Sequence, residues 1–118
     1  MVRGETNVDT FIIESPIENP VAVQVTYRQG NYVIIQKQLE DLDYEILYDT
    51  DLGEAYATQI TCELSQEETF KFWANDYALV QVRIITFDNK SLVSNIKKIK
   101  IEECLDCNIL PLEKEEVI

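Results

Sequence analysis

Histidine is absent from this chain. With it goes the side chain that most readily moves protons near neutral pH, and the commonest imidazole ligand for metals. Only three cysteines stand beside that absence, so a four-ligand zinc site cannot be completed in one chain from thiolates and imidazoles. Glycine is scarce as well, at three residues, and no phosphate-cradling loop or nucleophile motif occurs. We therefore expect no enzyme, no catalytic residues, no metal and no cofactor. Cations are outnumbered, 10 Lys and Arg against 22 Asp and Glu, which leaves a net charge of −12. Such a surface repels phosphate backbones and anionic lipid, so nucleic acid and membranes are not expected as direct partners. No apolar run approaches the roughly 20 residues that span a bilayer. The opening MVRGETNVDTF lacks the apolar stretch of a signal peptide, which predicts a cytoplasmic chain unless it leaves as part of an assembly.

What the chain does hold is β-forming residues. Its 46% hydrophobic content is ordinary for a globular domain and argues against disorder. Ala is infrequent beside Val, Ile, Thr and Tyr, a balance that favours strands. One domain is expected, with a radius of gyration of roughly 13–14 Å if compact.

The clearest pattern is residues 77–101, YALVQVRIITFDNKSLVSNIKKIKI. It reads as a long β-hairpin reversing at Asp88, Asn89 and Lys90, where Asp and Asn tolerate left-handed backbone. Val80, Val82 and Ile84 share one face of its first strand, and Leu79, Gln81, Arg83, Ile85 and Phe87 the other. Lys97, Lys98 and Lys100 lay their stems over apolar surface and keep their charges in water. Arg83 is expected to pair with an acid on a neighbouring strand.

Earlier segments alternate in the same way. Residues 2–7 read as an extended arm and 10–14 as a first strand, and Pro16 and Pro20 mark a crossing or an edge. In VAVQVTY, Val21, Val23, Val25 and Tyr27 form one face. A turn at Gln29, Gly30 and Asn31 returns the chain through residues 32–39, with Val33, Ile35 and Leu39 predicted inward and Ile34 partly covered. Residues 44–48 read as an edge strand. ATQITCEL, residues 57–64, places Thr58, Ile60, Cys62 and Leu64 on the core side, with Cys62 as a buried small hydrophobe. Ser65-Gln66-Glu67-Glu68 is a capping box, which predicts a short helix through about Phe72 with Phe70, Phe72 and Trp73 as a core plug.

Residues 40–54 are acidic without a basic residue. Their spacing does not follow the calcium-loop pattern, so we read a solvated loop and charged edge rather than an ion site. Cys104 and Cys107 form a C-x-x-C, but not after a strand and at the opening of a helix as in thioredoxin-like redox sites.

About seven short strands, turn signals roughly every 8–12 residues and one short helix before the last hairpin predict an all-β fold. We expect a single β-sandwich of Ig-like topology without its disulfide, the alternative being a jelly roll. The expected organisation is an N-terminal arm (1–9), a sandwich domain (10–103) and an acidic C-terminal tail (104–118).

The combination of RGET (3–6), VTYRQG (25–30), LSQEETFKF (64–72), VQVRIIT (80–86), SNI (94–96) and the closing EEVI resembles small proteins encoded by tailed bacteriophages and prophages of Gram-positive gut bacteria. Residues 104–112 depart from that pattern as an insertion before EEVI. The resemblance implies a structural part of the virion or its assembly, present in host cytoplasm beforehand, with no reaction to carry over. Its partners would be other virion proteins, major capsid or tail subunits, with homo-oligomers possible. The residues expected to grip them lie at the termini: Arg3, Thr6, Ile109, Leu110, Leu112, Val117 and Ile118, where an extended segment can add to a neighbour's sheet. A carbohydrate or cell-surface binding module is the alternative, with Tyr32, Tyr44, Tyr48 and Tyr56 as stacking rings beside the acidic loop.

Overall fold

The alternating segments form eight antiparallel strands in a computed structural model that describes residues 1–106 and 108–111. They are β1 (Asn7–Ile13), β2 (Ala22–Gln29), β3 (Tyr32–Gln38), β4 (Asp43–Tyr48), β5 (Ala55–Leu64), β6 (Asp76–Ile85), β7 (Ser91–Val93) and β8 (Lys97–Ile101). A single helical turn, α1 (Gln66–Thr69), separates β5 from β6. One sheet has three strands in the order β1-β5-β4, and the other five, β3-β2-β6-β7 with β8 also on β6. The two sheets make a mostly-β, sandwich-like molecule.

Its core is the set of inward positions that alternation marks. Val23, Val25 and Tyr27 of β2, Ile60, Cys62 and Leu64 of β5, and Ala78, Val80, Val82 and Ile84 of β6 are all buried. Burial raises the Cys62 thiol, so it stays protonated and packs as an apolar group. The Pro16–Pro20 segment carries the chain between the sheets and is tied down by β5. Thr58 Oγ1 accepts from Ile17 N (2.8 Å) and donates to Ser15 O (2.8 Å), while the Tyr44 hydroxyl donates to Ile17 O.

A polar clasp also joins the sheets. Tyr27 of β2 donates its hydroxyl to Asp9 Oδ2 of β1 (2.6 Å), and Asn7 Nδ2 donates to the same oxygen (2.8 Å). Lys97 of β8 stands 3.9 Å from Asp9 Oδ1. A buried carboxylate needs such partners, and these come from both layers.

Several expectations are corrected. The first strand begins at Asn7 rather than Thr10, because Asn7 and Asp9 alternate inward with Phe11 opposite β5. Val33 is exposed rather than inward, since the β2–β3 register shifts between Tyr27 and Arg28 and turns it out. Val21 precedes β2 and is exposed. The second strand of the last hairpin splits at Ser94, whose Oγ accepts from Val82 N (2.9 Å) and takes a place in the ladder. The helix stops at Thr69. Beyond it the bonds tighten to Lys71 N→Glu68 O and Phe72 N→Thr69 O, which turns Phe72 into the core against Tyr27. Trp73 is not part of that plug. It lies half exposed, edge-on to Tyr32. Arg83 is exposed opposite Gln24 and Val93 and has no ion pair among the described residues. The radius of gyration is 16.7 Å, above the roughly 13–14 Å expected, and the principal extents are 48 × 46 × 25 Å.

Candidate functional site

The N-terminal residues and residues 109–111 meet at α1. Local sequence explains why a turn forms there: Ser65 Oγ accepts from Glu68 N (3.2 Å) and Glu68 Oε1 accepts from Ser65 N (3.0 Å), so the capping box closes as its sequence predicts. Lys37 of β3 reaches Glu68 Oε2 at 2.6 Å. Burial acts to raise the Glu68 carboxyl, but Lys37 and Ser65 together outweigh it and hold it below the usual carboxylate range.

The N-terminal residues pack along one side of this turn. Met1 donates its ammonium to Lys100 O (3.0 Å), Val2 forms a parallel bridge with Glu102, and Arg3 N donates to Glu102 O (2.9 Å). Arg3 also donates through Nη1 to Glu103 (2.6 Å) and through Nη2 to Phe70 O (3.0 Å), with its guanidinium over the Phe70 ring. The amide of Cys104, followed by Arg3, lowers the Glu103 carboxyl. Thr69 is fully buried; its hydroxyl accepts from Gly4 N (2.9 Å) and donates to Glu5 O (2.8 Å). Gly4 has φ +87°, and a Cβ there would lie 2.5 Å from Phe70 Cζ. Only glycine meets both conditions.

The tail approaches the other side. Gln66 donates through Nε2 to Leu110 O (2.6 Å) and accepts at Oε1 from Leu110 N (2.9 Å), a side-chain imitation of one strand pairing. Next to it opens a cleft of about 830 Å³ lined by Thr6, Lys37, Glu63, Ser65, Gln66, Glu67, Glu68, Ile109, Leu110 and Pro111. Of the residues expected from sequence, Thr6, Ile109 and Leu110 come together around this cleft. Arg3 lies across α1, on Phe70 and Glu103. Leu112, Val117, Ile118 and Cys107 lie outside the described residues. Gly4, Gln66, Thr69 and Phe70 were not anticipated; Gly4 is the one that sequence could have flagged, as the sole glycine of the N-terminal segment.

The other candidates are dispersed. Tyr32 belongs to the five-stranded sheet beside Trp73. Tyr44 spends its hydroxyl on Ile17, while Tyr48 and Tyr56 are half exposed on the three-stranded sheet. In the acidic loop, Asp49 accepts from Leu52 N (3.0 Å) and Asp51 N (2.8 Å), which lowers its carboxyl. Among the described residues no three Asp, Glu or Cys side chains gather in a metal-holding cluster. Comparison of the chain with protein-family models, with characterised proteins and with solved structures returns no match.

Proposed function

We propose that this chain is a non-enzymatic structural protein of a tailed-phage virion, attached to capsid or tail, that grips neighbouring subunits through its termini and sheet edges. The observation that carries the reading is the convergence of the N-terminal residues and residues 109–111 on α1, beside an open cleft of about 830 Å³. A neighbour that engages this corner meets residues of the arm, the tail and the turn at once. Strands β3 and β4 each pair on one side only among the described residues, so each keeps an edge to which an extended segment could add. The phage-protein resemblance of the RGET and LSQEETFKF segments falls on the same corner, since Arg3, Gly4 and Thr6 stand against Phe70, Thr69 and Gln66 there.

The strand order supports an Ig-like reading of the sandwich. β1-β5-β4 against β3-β2-β6-β7 has the neighbour relations of B-E-D against C′-C-F-G in an immunoglobulin sandwich without its first strand. In that reading the Asp9–Tyr27–Lys97 clasp joins the first strand of one layer to β2 and β8 of the other, at strands other than the B and F pair that antibody domains link by a disulfide.

The reading is tested by deleting residues 108–118 and, separately, by Gln66→Ala, which frees the tail at Leu110 without shortening it. Both variants should enter assembled particles less than the full chain does, while remaining folded by circular dichroism. Unchanged incorporation of both would remove the tail from the account.

A further inference from the structure

The two sheets carry opposite charge. Strands β1, β4 and β5 contain no Lys or Arg, and with Asp9 buried inward in the clasp their exposed charges are Asp43, Glu45 and Glu63. The five-stranded sheet holds Arg28, Lys37, Arg83, Lys97, Lys98 and Lys100 against one acid, Asp76. Lys37 and Lys97 point inward to Glu68 and Asp9. Arg28, Arg83, Lys98 and Lys100 are exposed, and none has an ion pair among the described residues. Asp76 lies opposite buried Ile101, on the inward side, so in a chain of net charge −12 the outer face of this sheet carries cations alone.

We infer that the outer face of the five-stranded sheet docks the outer face of the three-stranded sheet of a second copy, joining copies head to tail. The faces match in more than charge. A hollow of about 90 Å³ between Arg28 and Ile96, lined also by Thr26, Leu79 and Gln81, has room for one aliphatic side chain, as a water takes about 30 Å³. The acidic face presents exposed Val8 and Ile12 from β1. Because the two patches differ, the pair keeps one of each free, one on either copy, so the contact propagates into a ring or a filament. The inference does not depend on the virion reading.

Size and charge set how strong the contact is. Four strands abreast at about 4.8 Å, with about eight residues at about 3.3 Å each, give a footprint of roughly 500 Å², and the three-stranded face is smaller. A standard interface takes about 800 Å² from each partner, so the association is weak. The net charge opposes it at very low salt. Near 0.1 M salt the Debye length is about 10 Å, which screens repulsion between whole molecules more than attraction across a contact, and at 1 M it is about 3 Å.

Sedimentation velocity of the full chain from about 10 µM to about 1 mM tests this. Association should rise with concentration at about 0.1 M salt and be lost at 1 M. Arg28→Glu/Arg83→Glu cancels the positive charge of the cationic face, where Lys98 and Lys100 remain, and leaves the other face acidic, while Glu45→Lys/Glu63→Lys makes both faces net basic; all four substituted residues are exposed, and circular dichroism checks the fold. Each variant alone should associate about tenfold less or weaker still, and an equimolar mixture should recover association. The Lys variant separates face matching from net charge, since it lowers total repulsion and should still lose self-association. A wild-type monomer at every concentration would overturn the inference. So would a Lys variant that associates like wild type, or a mixture no better than its components.

Discussion

Tyr27 donates a hydrogen bond from its hydroxyl across the gap between the layers, and the Asp9 carboxylate accepts it inside the core. Tyr27→Phe keeps the ring against Phe72 but leaves Asp9 one donor short, which should cost about 1–3 kcal/mol in urea unfolding. The clasp also has a pH signature. Burial, then the hydrogen bond from Tyr27 to Asp9, raises the Tyr27 phenol above its ordinary value. A group raised on folding contributes stability that is present below the unfolded value, near 10, and is lost as pH rises. The gap between wild type and Tyr27→Phe should therefore narrow above about pH 10; a gap that is constant from pH 7 to 11 would contradict the clasp. Gly4 offers a second test at this scale. Gly4→Ala must fit a methyl beside the Phe70 ring at a left-handed φ, so amide exchange at Arg3 and Glu102, bonded across the arm, should speed up while the β2 and β6 amides stay protected.

At the scale of elements, α1 holds the corner together through four residues, a length that owes its order to caps and packing rather than to helix propensity. Glu68→Gln retains an acceptor for Ser65 N but gives up the charge that faces Lys37. It should lower stability at pH 7 by about 0.5–1 kcal/mol. A carboxyl lowered on folding contributes stability present above the unfolded value and lost as pH falls through the folded one. The difference between wild type and Glu68→Gln should thus be largest near neutrality and vanish in acid, and urea midpoints at pH 7 and pH 3 measure it. The capping box was legible because its four residues are contiguous, and the last hairpin because alternation on β6 is regular. The register shift at Tyr27/Arg28 was not legible, since one extra residue reverses every later side chain. Nor were the glutamine clamps. Gln29 on Trp73 and Gln66 on Leu110 each bridge 44 residues of sequence, and nothing local distinguishes a glutamine that will imitate a strand from one left in water.

For the whole molecule, composition stated the net charge but not its placement. Only when strands are sorted into sheets do the exposed acids of β4 and β5 separate from the exposed cations of β2, β6 and β8. The same sorting brings residues 3–6 and 108–111 to one corner, where the proposed grip on neighbours lies. The most direct measurement is quantitative mass spectrometry of phage particles purified on a density gradient from a culture that expresses this chain. The account predicts that the chain co-sediments with the major capsid or tail proteins in a fixed ratio to them across fractions. A chain found only in the soluble lysate, with intact particles free of it, would contradict a structural role in the virion.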